Sequence, residues 1–217
     1  MSTTSEQVIG PPPTHHRRNR RGEGARLRQD ILDAASEILE TTGSEDAVTL
    51  RAIAREVGIA APSIYGHFPD REAVLDQLVA DAFRQLTASL DEARRGVGDP
   101  SERLLAGCRA YLAFAVGHPR RYWVLFDHSA PGARRRDAGS VPVTEGLAAF
   151  NVLVRGIADC AQAGQSASVD HFADAVAVWT GLHGLATLSA SLPSFPWPDR
   201  DQLVRALVGR LARLNAA

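Results

Sequence analysis

Apolar residues recur every three or four positions along most of the chain, a spacing that predicts amphipathic α-helices. A first helix begins near Arg26 and ends at Gly43, a residue suited to a helix C-cap. A second helix follows the N-cap candidate Thr49 and ends at Gly58 after barely two turns. Pro62 to His67 forms a third, very short helix, because proline is favoured in a first helical turn.

The fourth helix is much longer. Asp70 caps it, and its apolar stripe runs without a helix breaker from Glu72 to about Arg95. The remaining helices are predicted at Ser101 to Gly117, Arg120 to Phe126, 142–164, 168–191 and Asp199 to Leu214. Strand-like alternation, internal repeats and a glycine-rich phosphate loop are absent from the sequence, and residues 1–24 have the Pro-, His- and Arg-rich composition of a disordered basic arm. We therefore expect an all-α fold of about nine helices.

Composition narrows the possible partners only slightly. The 217 residues have a net charge of −1, so the overall charge does not indicate a nucleic-acid partner. Any evidence for such a partner must come from the local positions of the charged residues. Residues 175–198 contain no Asp, Glu or Arg, but His183 and three prolines favour a buried helix and a loop over a membrane span. With no apolar signal segment, we expect a cytoplasmic protein. Cys108 and Cys160 fit buried free thiols, with a redox switch as the alternative.

One uncharged corner, "GIAAPSIYGHF" from Gly58 to Phe68, stands out in a chain that is charged nearly everywhere else. Two helices this short persist only against longer neighbours, and a tight turn between them gives a helix-turn-helix. Ile59 and Ile64 are expected to point inward. The outward set is then Ala60, Ala61, Ser63, Tyr65, Gly66 and His67.

Such a face suits the major groove of DNA. Small residues allow close backbone approach, Ser63 and alanine methyl groups can contact base edges, and Tyr65 and His67 can reach phosphates or sugars. Flanking arginines would supply the charge, since residues 17–28 hold six arginines and one acid. The alternative is a tightly packed helical corner that binds nothing.

The stretch from Arg28 to about Val79 closely resembles the N-terminal DNA-binding domain of the TetR family of transcriptional repressors. The resemblance rests on "TLRAIAREVGI" and on the Y-x-H-F signature at Tyr65 to Phe68, with Arg71 where the family usually has Lys. More loosely, "YLAFAVGHPRRYWVLF" and Trp179 with His183-Gly184 resemble the W-H-G branch of that family.

The resemblance implies a homodimeric repressor that binds a palindromic operator and is released by a small ligand, and the composition of the C-terminal part suggests that this ligand is largely apolar. It divides the chain into a helix-turn-helix domain at 25–71, joined through the long helix 72–95 to a ligand-binding and dimerisation domain at 72–217. The DNA contacts it implies are Thr49, Arg51, Ala60, Ala61, Ser63, Tyr65, His67 and Arg71. The basic arm is either a minor-groove contact or a solvated tail, through Arg17, Arg18, Arg20 and Arg21.

In the remaining two-thirds, aromatic residues on several helices are either ordinary core or the wall of an apolar cavity. These are Tyr111, Phe114, Trp123, Phe126, Phe150, Trp179 and His183. His183 is either a hydrogen-bonded core histidine or a polar group of that cavity. For dimerisation, the family implies the last two helices, and the candidates are the uncharged face of 168–191 and Leu203, Leu207, Leu211 and Leu214. Burial of that face within one monomer is the alternative.

Nothing in the sequence favours an enzyme. It has no nucleophile elbow, no metal-ligand cluster and no paired carboxylates in an apolar setting, so we expect neither catalysis nor a metal or cofactor. Asp127-His128 near Trp123 comes nearest, but adjacent helical residues point apart. Two other functions stay open: a ligand-binding or scaffolding helical protein without DNA binding, and a regulator without a small-molecule effector.

Overall fold

The structure, a computed structural model, describes residues 23–126 and 141–215. Within these ranges the chain forms eight α-helices: α1 (Glu23–Thr42), α2 (Leu50–Val57), α3 (Arg71–Arg94), α4 (Pro100–Gly117), α5 (Pro119–Phe126), α6 (Val141–Gln162), α7 (His171–Ser191) and α8 (Arg200–Leu211). Two 3₁₀ helices, Glu45–Ala47 and Ala61–Gly66, precede and follow α2. The same ranges hold no β-strand, only one isolated bridge between Ser166 and Leu214. The prediction of an all-α fold is confirmed.

Local signals in the sequence set the helix ends. Thr49 accepts a hydrogen bond from the Ala52 amide at 3.1 Å, and Asp70 accepts one from the Ala73 amide at 2.8 Å, so both predicted N-caps are confirmed. Gly58 ends α2 in the left-handed conformation, with φ of 75°. A residue in this conformation cannot continue a right-handed helix, and glycine adopts it readily because it has no Cβ, so α2 stops there.

Several boundaries differ from the predicted ones. The segment predicted as Pro62 to His67 is a 3₁₀ helix at Ala61–Gly66, and α8 ends at Leu211 rather than Leu214. Glu23 and Gly24, predicted to belong to the basic arm, open α1. The rest of that arm and residues 127–140, which include Asp127 and His128, lie outside the described residues.

The helices pack as a small N-terminal group on a larger bundle, and α3 belongs to both. α1 packs against α2 and α3, whereas α4 and α6 pack along the remainder of α3. α7 lies against α4, α6 and α8, and α5 bridges α1, α3 and α4. Fully buried side chains run from Ile31 and Ile53 in the first group to Ile157 and Val178 in the bundle. One continuous core therefore connects both ends of the molecule.

Two expectations about composition can be compared with the described residues. No helix there is both long and apolar enough to cross a membrane. Cys108 and Cys160 are buried and carry free thiols, as predicted. Burial raises the pKa of the Cys108 thiol to about 12 and that of Cys160 to about 11. Both are therefore uncharged at neutral pH.

Candidate functional site

The uncharged corner forms an outward face supported by a packed inner face. Ile64 and Phe68 are buried, and Ile59 packs against the core. On the opposite side Ala60 and Ser63 are exposed, and Tyr65 is 60% exposed. His67 is half-buried. An exposed tyrosine held on a rigid turn is a ready contact for a phosphate or a base edge.

Ala61 departs from this arrangement. It was expected on the outward face, but it is half-buried and packs against the core. The reason is the 3₁₀ geometry of Ala61–Gly66, which places residues three apart on one side, so Ala61 follows the buried Ile64 inward.

At the start of α2, the side chains of Thr49 and Arg51 differ in whether they are already engaged within the protein. The Thr49 hydroxyl accepts the capping bond from Ala52, whereas Arg51 is exposed and points away from the core. Arg51 therefore provides an exposed positive charge near the outward face, where a DNA phosphate could be neutralised.

Arg71 holds the helix-turn-helix together from the first position of α3. Its Nε donates to the Val48 carbonyl at 2.8 Å, and its Nη2 donates to the Glu45 carbonyl. Its guanidinium also lies 3.9 Å from Asp46 and 3.7 Å from Glu72. These contacts tie the loop before α2 to α3, so Arg71 acts here as a positioning residue.

Arg28 of α1 fixes the other side of the corner. Its guanidinium lies 4.7 Å from the centre of the Phe68 ring, and its Nη2 donates to Gln77 of α3 at 2.8 Å. A β-carbon at Gly24 would lie 3.8 Å from the His67 ring, so the first turn of α1 runs beside the corner.

The bundle encloses a cavity of about 570 Å³ between α3, α4, α5, α6 and α7. This is within the usual range for small-molecule sites. Most of its wall is aliphatic or aromatic. Four lining residues stay exposed and mark the edge where the cavity meets the surface: Leu147, Phe172, Val176 and Trp179.

Beside the cavity, three polar side chains from different helices form a hydrogen-bonded chain, which we call the Tyr–Tyr–His chain: Tyr111, Tyr122 and His183. The hydroxyls of Tyr111 and Tyr122 are 2.9 Å apart, and the Tyr122 hydroxyl is 2.7 Å from His183 Nδ1. Burial lowers the pKa of His183 and raises the pKa of Tyr122 to about 12. All three groups are thus neutral at neutral pH, and each hydroxyl of the chain is hydrogen-bonded.

Of the seven aromatic residues predicted to line a cavity, four do so: Tyr111, Phe126, Phe150 and Trp179. The other three lie elsewhere. Phe114 is buried against His118, Trp123 is 48% exposed on α5, and His183 sits behind the wall in the Tyr–Tyr–His chain.

The leucine stripe predicted for dimerisation is half-buried. Leu207 and Leu211 pack partly against their own protomer's core, and so does Leu214 beyond the end of α8, whereas Leu203 is half-buried outside that core. The fully buried residues of α8 are Val204 and Val208. Leu188 of α7 and Leu192 just beyond its end remain exposed about one turn apart, whereas the exposed Val176 belongs to the cavity edge.

Comparison with known proteins agrees with both parts of the fold. Residues 31–78 match the family model described as bacterial regulatory proteins of the tetR family, and residues 104–211 match the model of a tetracyclin repressor-like C-terminal domain. The chain belongs to the TetR family. The part of this TetR-family chain that matches the C-terminal model contains the Tyr–Tyr–His chain and the cavity wall from α4 onward.

Individual relatives support this assignment. A solved structure of a protein of unknown function from Rhodococcus sp. RHA1 is 31% identical, with a TM-score of 0.73, covering 94% of this chain and 98% of that one. The HTH-type transcriptional regulator Rv1816 of Mycobacterium tuberculosis is 34% identical over 116 residues, 51% of this chain and 49% of that protein. This TetR-family chain thus spans about half the length of the curated relatives it matches. The TetR family regulator PfmR from Thermus thermophilus shares the fold, with a TM-score of 0.59 at 20% identity over 84% of this chain and 97% of that one.

Within this TetR-type fold, the sequence analysis missed one wall of the cavity. One face of α3 lines it from Val79 through Phe83, Leu86 and Leu90 to Arg94. The signal was present, because these residues follow helical spacing and a single arginine continues an apolar stripe. No group of three or more His, Cys, Asp or Glu in the described ranges is arranged to hold a metal ion.

Proposed function

We propose that this chain is a transcriptional repressor that binds a palindromic DNA operator as a homodimer and is released by a small, largely apolar ligand. The observation that carries the proposal is the exposed, uncharged outward face of the corner after α2. It is fixed by a buried inner face and by Arg71 and Arg28.

In the DNA complex, Ala60 and Ser63 would contact base edges, and Tyr65 and His67 would contact the sugar–phosphate backbone. Arg51 would neutralise a phosphate and Thr49 would lie beside it. We assign Ala61 to support and Arg71 to positioning, since its hydrogen bonds go to Val48 and Glu45. The corner has no Arg, Asn or Gln for bidentate base contacts, so shape readout would carry much of the specificity.

Dimerisation would pair α7 and α8 with their symmetry mates. The exposed Leu188 and Leu192 at the C-terminal end of α7 support this, because an isologous contact buries the same residues on both copies. Two corners spaced about 34–36 Å apart would then meet successive major grooves. The arginines of the basic arm would add phosphate or minor-groove contacts.

Release would follow from ligand entry into the cavity. α3 lines the cavity at one end and carries the Asp70 cap and Arg71 at the other, so its displacement would change the spacing of the two corners. α5 offers a second connection: Phe126 lines the cavity, and Arg121 donates to Glu40 of α1 at 2.6 Å and to Gln85 of α3 at 2.9 Å. A coupling of about 1–3 kcal/mol would weaken DNA binding 5- to 150-fold.

The experiment is a salt titration of binding to the DNA upstream of the protein's own gene. For Arg51→Gln we expect weaker binding and a slope of log K against log salt that is shallower by about one, because one phosphate contact is lost. Arg155→Gln is the matched control, since Arg155 is exposed on α6 away from the corner. Wild-type protein that stays monomeric and ignores double-stranded DNA in dilute salt would refute the proposal.

A further inference from the structure

The cavity is elongated along α3, and a charge lies at one end of it. From Val79 to Arg94, its wall follows α3 for about 22 Å at 1.5 Å per residue. This shape fits an extended molecule better than a compact one.

Arg94 has unused hydrogen-bonding capacity at this end. Its side chain is only 17% exposed, and within the described ranges its one ion pair is with Asp91, at 3.5 Å from Nη1. A guanidinium carries five N–H donors, and the described residues offer Nε and Nη2 no acceptor. Gly107 makes room for the arginine stem, since a β-carbon there would lie 3.2 Å from Arg94 Cδ.

No other charge lines the described wall. It contains neither Asp nor Glu, and the buried Cys108 thiol stays neutral. The Tyr111 hydroxyl is engaged by Tyr122. A ligand that fills the cavity would therefore meet one cation and otherwise apolar surface, and the free donors of that guanidinium favour an anionic group at this end of the ligand.

We propose that the cavity binds an extended apolar carboxylate, with its head group held by the Arg94 guanidinium and its hydrocarbon body lying along Val79 to Leu90. The planar guanidinium matches a carboxylate through two parallel hydrogen bonds. This deepens the ligand-responsive part of the proposed function, on which it rests, by giving the effector a chemical class.

The test compares two ligands of equal length, dodecanoate and dodecan-1-ol, by isothermal titration calorimetry at neutral pH below the micelle concentration of the acid. Dodecanoate should bind wild-type protein about 10- to 100-fold more tightly than Arg94→Gln, because a charge-assisted contact is lost. Dodecan-1-ol should bind both proteins equally. Decanoate should bind about 15-fold more weakly than dodecanoate, roughly fourfold for each buried methylene removed.

Arg95→Gln is the matched control, since Arg95 neighbours Arg94 but its side chain is 74% exposed. It should leave both affinities unchanged. Arg94→Lys keeps the charge without the fork and should retain intermediate affinity for the acid, which keeps the test decisive if Arg94→Gln does not fold.

Equal affinities of wild-type protein for acid and alcohol, or an unchanged affinity of Arg94→Gln or Arg94→Lys for dodecanoate, would overturn the assignment. The measurement uses no DNA. Tight dodecanoate binding without operator release would therefore count against the proposed regulation and leave the assignment of the ligand class intact.

Discussion

The Tyr–Tyr–His chain allows a sharp prediction, because its middle residue, Tyr122, makes two hydrogen bonds through one hydroxyl group. Removing that hydroxyl disrupts both bonds. Tyr122 is 3% exposed, and its hydroxyl joins Tyr111 at 2.9 Å to His183 at 2.7 Å. In Tyr122→Phe the ring contacts with Tyr111 and His183 remain, since their centroids lie 5.7 Å and 5.6 Å from that of Tyr122. The substitution thus tests the hydrogen bonds rather than the packing.

The expected cost follows from the two groups left without partners. A buried unsatisfied donor or acceptor costs about 1–3 kcal/mol, and the loss at His183 is smaller because that ring is only half-buried. We therefore expect Tyr122→Phe to lower the free energy of unfolding by about 2–3 kcal/mol. For a chain of this length that lowers Tm by about 4–12 °C.

The assay is urea and thermal unfolding followed by circular dichroism, with all proteins at one concentration because a dimer's stability depends on it. Tyr65→Phe is the matched control: it removes the same atom from a side chain that is 60% exposed and should change stability by less than about 0.5 kcal/mol. Tyr111→Phe keeps the bond from Tyr122 to His183 and should fall between the two. Equal stability of Tyr122→Phe and Tyr65→Phe would refute the reasoning.

Two further predictions concern titratable groups. Burial lowers the pKa of His183 below the 6.5 of the unfolded chain, so the unfolded state binds more protons; stability from this group is complete above pH 6.5 and falls as the pH drops through that value. The free energy of unfolding of wild-type protein, measured by urea titration, should therefore decline more steeply between pH 7 and 5.5 than that of His183→Gln. The two slopes should differ by at most about 1.4 kcal/mol per pH unit, and parallel profiles would contradict this. Because the pKa values of Cys108 and Cys160 are raised to about 12 and 11, both native thiols should react with iodoacetamide at pH 8 about 100-fold more slowly than in urea, and rapid native alkylation would contradict their burial.

The N-terminal corner could be predicted from sequence because its determinants are local. Thr49 and Asp70 cap the helices that follow them, and Gly58 takes the positive φ that ends α2. Ile64 and Phe68 are buried as the helical spacing requires. The spacing did not reveal the 3₁₀ geometry of Ala61–Gly66, because a segment of only six residues fits either the α-helical or the 3₁₀ period.

The bundle was predictable only as a set of helices. On α8, Leu207 and Val208 are neighbours on adjacent faces, and amphipathic spacing alone does not tell which face meets the protomer's own core. The structure buries Val208 completely and leaves Leu207 half-buried, because packing against α4 and α7 decides the face.

The cavity depends on contacts that no local pattern encodes. Tyr122 and His183 are 61 positions apart, so their hydrogen bond exists only once α5 and α7 pack together. Arg94 is a surface arginine by every local criterion, since it ends a helix next to Arg95 and just before a turn. It is mostly buried because α4 approaches closely at Gly107 and α3 continues past the last turn of apolar residues. The position of that one charge therefore follows from how the helices pack, and it is the feature of the cavity that most narrows the chemistry of its ligand.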